Sequence, residues 1–129
     1  MASVPKDLRY ARSHEWIDPG QSPHRVGITD HAQAELSDIV FAELPEVGRM
    51  VTQGEACCVV ESCKAASDVY APVSGMIAAV NEDLEARPEL VNKDPYGEGW
   101  LFSIDASDMG EFPILLDSEG YREMIEIGD

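Results

Sequence analysis

From Gly48 to Ile104 the chain is cut into short apolar segments by glycine and proline, and that punctuation constrains the fold more than any other feature. "RMVTQG" ends at Gly54. "EACCVVES" runs over 55–62, "SDVYAPV" over 67–73 with Pro72 limiting it, "MIAAV" over 76–80 after Gly75, and "WLFSI" over 100–104. "EACCVVES" is apolar at odd and even positions alike, as expected of a strand inside a sandwich or barrel. Upstream, "RVGIT" (25–29) and "DIVFAEL" (38–44) also read as strands. "TDHAQAEL" predicts a short helix between them. Thr29 or Asp30 can cap it, Gln33 stands three residues after Asp30, and Ala32 with Leu36 makes one apolar stripe. These segments predict a mainly β chain with short helices (α+β), built as a small sandwich or barrel. Residues 1–16 read as a lead-in ending on "HEW", and 81–99 as a polar, turn-rich connection. The stretch 106–129 has helical composition in "DSEGYREMIEI", with Gly110, Pro113 and Gly120 weakening any long helix. The expected organisation is one domain over 1–129, its core at about 25–105.

The chain has 129 residues, 44% of them hydrophobic, which is enough for a buried core. Its formal net charge is -16, which argues against nucleic acid and anionic membrane surfaces and for partners with basic patches. The longest apolar runs, such as "ACCVV" and "MIAAV", fall far short of a membrane span. The first residues have no apolar signal core and mix acids with bases, so a cytoplasmic chain without a presequence is expected. Cys57, Cys58 and Cys63 have no CxxC spacing and no histidine nearby, which favours reduced thiols over a metal site. Trp16 and Trp100 read as core residues.

Lysine is rare here: Lys6, Lys64 and Lys93 only. Lys64 lies in "ESCKAAS", flanked by small residues, between two strand candidates. If these pair as a hairpin, Cys63-Lys64-Ala65 is its tip. The absence of Asn-Gly or Asp-Gly then predicts a type I turn. A turn lysine is ordinarily just solvated. Small flanks at a rigid tip, however, would let another enzyme close over the amine and acylate it.

"VESCKAASDVYAPVSG", "VGITDHAQAELSDIVFAELPEVG" and "ELVNKDPYGEGW" resemble the glycine cleavage system H-protein family, and the likeness runs from "LRYARSHEW" to about "WLFSIDASD". The resemblance implies a barrel-sandwich hybrid of the lipoyl/biotinyl-carrier type. It implies a non-catalytic carrier bearing lipoic acid in amide linkage on Lys64, as N6-lipoyl-lysine. The implied partners are a pyridoxal-phosphate glycine decarboxylase, a tetrahydrofolate-dependent aminomethyltransferase, a flavin dihydrolipoyl dehydrogenase and a lipoate-attaching enzyme. By the same resemblance, Glu61 and Gly75 help the attaching enzyme recognise the hairpin, and Ser13, Glu15 and Asp68 dock the loaded arm. The expected state is a monomer. Cys63 departs from the family, which usually has valine there, and its side chain is expected to turn into the hairpin base. Biotin carriers flank their lysine with methionines, and lipoyl domains of 2-oxoacid dehydrogenases place aspartate before it; neither pattern is present. A cysteine enzyme would need a base, and His14, His24 and His31 are remote from Cys63 in sequence. A lipoyl relay or donor serving another complex is the alternative to glycine cleavage.

Overall fold

The computed structural model describes residues 3–127. Among the described residues, nine strands form two antiparallel sheets. In chain order they are β1 (Arg9–Tyr10), β2 (Glu15–Ile17), β3 (His24–Ile28), β4 (Ile39–Glu43), β5 (Met50–Val51), β6 (Ala56–Ser62), β7 (Ala66–Tyr70), β8 (Gly75–Val80) and β9 (Phe102–Ala106). One sheet runs β1-β2-β3-β9-β8-β5 and the other β4-β6-β7. Helix α1 (Asp30–Leu36) carries the chain from the first sheet to the second. Side chains from both sheets, among them Val26, Ile77 and Ile104 from one and Ala42, Val60 and Val69 from the other, share one buried core. This is the mainly β architecture expected, with the hydrophobic effect of that shared core holding the layers together.

Several boundaries moved, for physical reasons. The lead-in is not irregular: it holds β1 and β2, which complete the larger sheet beside β3. The strand expected at 100–104 lies at Phe102–Ala106, and the one at 49–54 shrinks to Met50–Val51. Two single-turn helices, α2 (Asp83–Ala86) and α3 (Leu90–Lys93), interrupt the polar connection, each burying one apolar residue, Leu84 and Val91. The C-terminal segment is helical despite its breakers. Pro113 is absorbed in a 3-10 helix, Met109–Ile114, where Glu111 accepts from the Ser74 N–H and hydroxyl at 2.6 and 2.9 Å. Helix α4 (Ser118–Glu126) follows, and Gly120 sits in its first turn, donating its N–H to the Asp117 cap at 2.8 Å. In α1 the cap is Thr29, whose hydroxyl accepts from the Ala32 N–H, while Gln33 donates to the Asp30 carboxylate at 2.7 Å.

A second, smaller core joins the two chain ends: Val4, Tyr10, Trp16 and Tyr121. Trp16 is buried as expected and donates to the Pro95 carbonyl at 3.0 Å. Trp100 is only half-buried, and the Arg25 guanidinium lies 4.5 Å over its ring.

Gly75 is fixed by packing. A Cβ there would stand 2.3 Å from the Asp105 carbonyl on the neighbouring strand β9. Gly75→Ala is therefore expected to cost about 1–3 kcal/mol, the range for overpacking. Urea unfolding checks it, and an unchanged midpoint would show that the strands separate freely at this rung.

Candidate functional site

The hairpin between β6 and β7 presents Lys64 at its exposed tip, as the sequence predicted. Its closure relies on a side chain where a regular turn uses a main-chain carbonyl. The Ser62 hydroxyl takes the place of a main-chain carbonyl, accepting from the N–H groups of Lys64 and Ala65 at 3.0 and 3.1 Å. The one backbone bond across the tip runs the opposite way, from the Ser62 N–H to the Ala65 carbonyl at 2.8 Å. Serine side chains do this readily, because a short hydroxyl can mimic a turn carbonyl. The hairpin tip is tied to the residue preceding β4 by the Cys63 N–H, which donates to the Asp38 carbonyl at 3.1 Å. The Cys63 side chain does not enter the hairpin base; it is exposed. Cys57 and Cys58 are buried, and burial raises both thiols, that of Cys57 to about 11.

Lys64 is folded back. Its Nζ donates to the Glu35 carbonyl at 3.2 Å, in the last turn of α1, where helix carbonyls lack intrahelical partners and the dipole favours a cation. Glu35 also lines a pocket of about 280 Å³ with Ser13, His14, Glu15, Ile28, Ala32, Leu36, Ser67 and Asp68. Ser13, Glu15 and Asp68, distant in sequence, thus meet in one cavity. Glu61 and Gly75 stand elsewhere. Glu61 is on β6 opposite Phe41 and Ala66, and Gly75 is buried in the larger sheet.

Glu15 is 1% exposed. The Ser13 hydroxyl donates to one of its oxygens and the Tyr70 N–H to the other, at 3.0 Å. Burial nevertheless dominates and raises its carboxyl from 4.5 to about 7, with both hydrogen bonds opposing the rise. Near neutral pH this acid is close to half protonated, and a cation entering the pocket would ionise it. Asp68 is exposed on the outer strand β7.

The pocket rim is secured from outside. His14, at a positive φ of 78°, shares a 2.7 Å hydrogen bond with the Tyr121 hydroxyl, which lies 2.7 Å from the Thr29 hydroxyl as well. Glu35, Ser62 and His14 were not singled out in the sequence. Glu35 could have been: it falls three residues after Ala32, which makes the two neighbours on the helix surface.

The comparisons agree with this architecture. The family model for the glycine cleavage H-protein matches residues 8–127. A glycine cleavage system H protein of Alteromonas mediterranea is 58% identical over 127 residues, covering 98% of both chains. One from Thermus thermophilus is 58% identical over 123 residues, covering 95% of this chain and 96% of its own. The crystal structure of a glycine cleavage system H protein from Mycobacterium marinum superposes with a TM-score of 0.86 at 43% identity, covering 95% of this chain and 99% of that one. The chain belongs to the glycine cleavage H-protein family, the lipoyl carriers of that system, which are not catalysts by themselves.

Proposed function

We propose that this chain is the cytoplasmic, monomeric carrier of a glycine cleavage system, with lipoic acid held in amide linkage on Lys64. The observation that carries this reading is an exposed amine at a rigid hairpin tip, directly beside an acid-lined pocket. The residues present fit the group. Lys64 supplies the amine, no bulky side chain flanks it in sequence, and the Ser62 bracket holds its backbone while the stem stays free to move. Once attached, the lipoyl group would supply a disulfide that can accept a one-carbon amine and a dithiol that can be reoxidised.

The protein's own part is to bind and shield. Glu15 and Asp68 present negative charge to a cationic amine, and Ser13 holds one Glu15 oxygen in place. Ile28, Ala32 and Leu36 form the apolar wall that limits water around it. Glu15 is neutral or charged according to what enters, so the pocket is tuned for a cation and costs less when empty. These features favour glycine cleavage over a pure lipoyl relay, whose cargo has no positive charge for Glu15 and Asp68 to meet. The partners follow from that reading: a pyridoxal-phosphate glycine decarboxylase, a tetrahydrofolate-dependent aminomethyltransferase, a dihydrolipoyl dehydrogenase and a lipoate-attaching enzyme. Glu61 and Gly75 belong to the surface and the scaffold that the attaching enzyme reads. Three unpaired cysteines, two of them buried, suit a reducing compartment.

Intact mass and peptide mapping after co-expression with a lipoate ligase test the assignment. One lipoyl group is expected, on Lys64. Modification at Lys6 or Lys93 instead, or none on any lysine, would overturn it.

A further inference from the structure

Strand β4 has an irregularity beside the attachment hairpin. Ile39 pairs with Ser62 and Phe41 with Glu61, so Val40 is an extra residue in the ladder. The bulge breaks the alternation of inside and outside. Ile39 and Ala42 face the core, and Val40 and Phe41 both turn outward, 56% and 50% exposed. Phe41, Glu61 and Ala66 form one row across the outer face of the small sheet, and Glu43, Val59 and Asp68 form another on the same face. An apolar pair is thus set among acids, two to three residues from the lysine along the hairpin register.

We propose that the Val40–Phe41 bulge, with Glu61 and Glu43 around it, is the landing surface for the enzyme that acylates Lys64. The occupant is a protein with an apolar contact rimmed by basic side chains. The proposal rests on the lipoylation reading above, and reach decides among the partners. Before modification the reactive nitrogen hangs on a four-carbon stem, so the acylating enzyme must come to the backbone of the hairpin and against what flanks it. Partners that act on the far end of the finished arm work a whole acyl chain further out. Charge agrees, because Glu43 and Glu61 attract a basic rim and the chain carries -16 overall. The surface is also rigid: the Cys63 N–H bond to Asp38 and the Ile39 N–H bond to the Asn92 side chain, 2.8 Å, fix the start of β4 against hairpin and core. In the reaction the ammonium first gives up one proton. A bond then forms between Nζ and the acyl carbon of an activated carboxylate, such as a mixed anhydride with a nucleotide phosphate. The bond to the activating group breaks, and that group departs as the second proton is released.

The test uses the full chain with Val40→Thr and Phe41→Thr together, β-branched replacements that keep the strand. Acylation of Lys64 by a purified ATP-dependent lipoate ligase, with lipoate and ATP, is followed by intact mass at increasing carrier concentration. The double variant is expected to raise KM about tenfold, as for loss of a small apolar anchor, with kcat retained. Circular dichroism checks that the fold is kept. Once fully lipoylated, the variant is reduced by dihydrolipoyl dehydrogenase, with NADH as the electron source, at the wild-type rate. The paired control is Val47→Thr with Met50→Thr, exposed apolar residues in and just before β5 of the other sheet, remote from the hairpin tip in the strand order, and it leaves acylation unchanged. An unchanged KM in the Val40/Phe41 variant, or an equal rise in the control, overturns the landing surface alone. A wild-type chain that the ligase does not modify overturns the carrier assignment, and this proposal with it.

Discussion

Lys64→Arg is expected to abolish carrier turnover completely while leaving the fold intact. Arginine keeps the positive charge and much of the length, but its guanidinium stays protonated and is no acyl acceptor. The structural role of Lys64 is small. Its backbone N–H bond to the Ser62 hydroxyl does not depend on the side chain. The Nζ bond to the Glu35 carbonyl is exposed, where such contacts contribute little. The midpoint of thermal unfolding should therefore move by no more than about 2 °C. Glycine-dependent reduction in the reconstituted system, measured beside thermal unfolding, separates the two effects. Activity persisting in the arginine variant would place the attachment elsewhere, and lost activity with a collapsed midpoint would mean that the tip is structural.

Glu15→Gln is expected to change how stability and load retention depend on pH. The Glu15 carboxyl titrates at about 7 in the folded protein against 4.5 as its ordinary value. Between those values the folded chain holds a proton that the unfolded chain has released. Stability contributed by this group therefore falls as pH rises from 4.5 to 7 and is level outside that window. The difference amounts to about 3 kcal/mol. Glutamine keeps the shape and an acceptor for the Tyr70 N–H, and it does not titrate. Relative to wild type, the variant should gain about that much stability between pH 4 and pH 8, as read by urea unfolding. Retention of a cationic load should go the opposite way. After loading with glycine and the decarboxylase, wild type should hold its load better relative to Glu15→Gln at pH 8 than at pH 6, because only the ionised acid attracts the amine. Asp68→Asn should weaken retention without removing that slope. Parallel stability curves for wild type and Glu15→Gln would show that the Glu15 carboxyl titrates alike in the folded and unfolded chains, and equal decay in both variants would end its role, and that of Asp68, in holding the load.

Much of this was legible in the residues, and the reasons for the rest are specific. The hairpin was readable because "EACCVVES" and "SDVYAPV" are long enough to carry their own pattern. Strands β1 and β2 were not, because they are two and three residues long and exist only by pairing outward from β3. The strand in "DIVFAEL" was readable, but its bulge was not, since alternation predicts Val40 and Ala42 on one face. The site divided along similar lines. Lys64 stood out by rarity and setting, and the family likeness named Ser13, Glu15 and Asp68. Nothing local told that Glu15 would be buried, because that depends on Tyr70 arriving beside it from β7. The Ser62 bracket is equally invisible until the turn exists, since its hydroxyl could as well have faced water.

The tie between Tyr121, His14 and Thr29 has a temporal consequence. A chain is made from its N-terminus, and the strands of the small sheet have all been synthesised once residue 70 has emerged, while Asn92, which holds the start of β4, comes later. The pocket's rim gains its last support only when Tyr121 follows. The residues that brace the start of β4 and the pocket's rim are thus made after the hairpin itself, so the setting of both depends on chain that follows it.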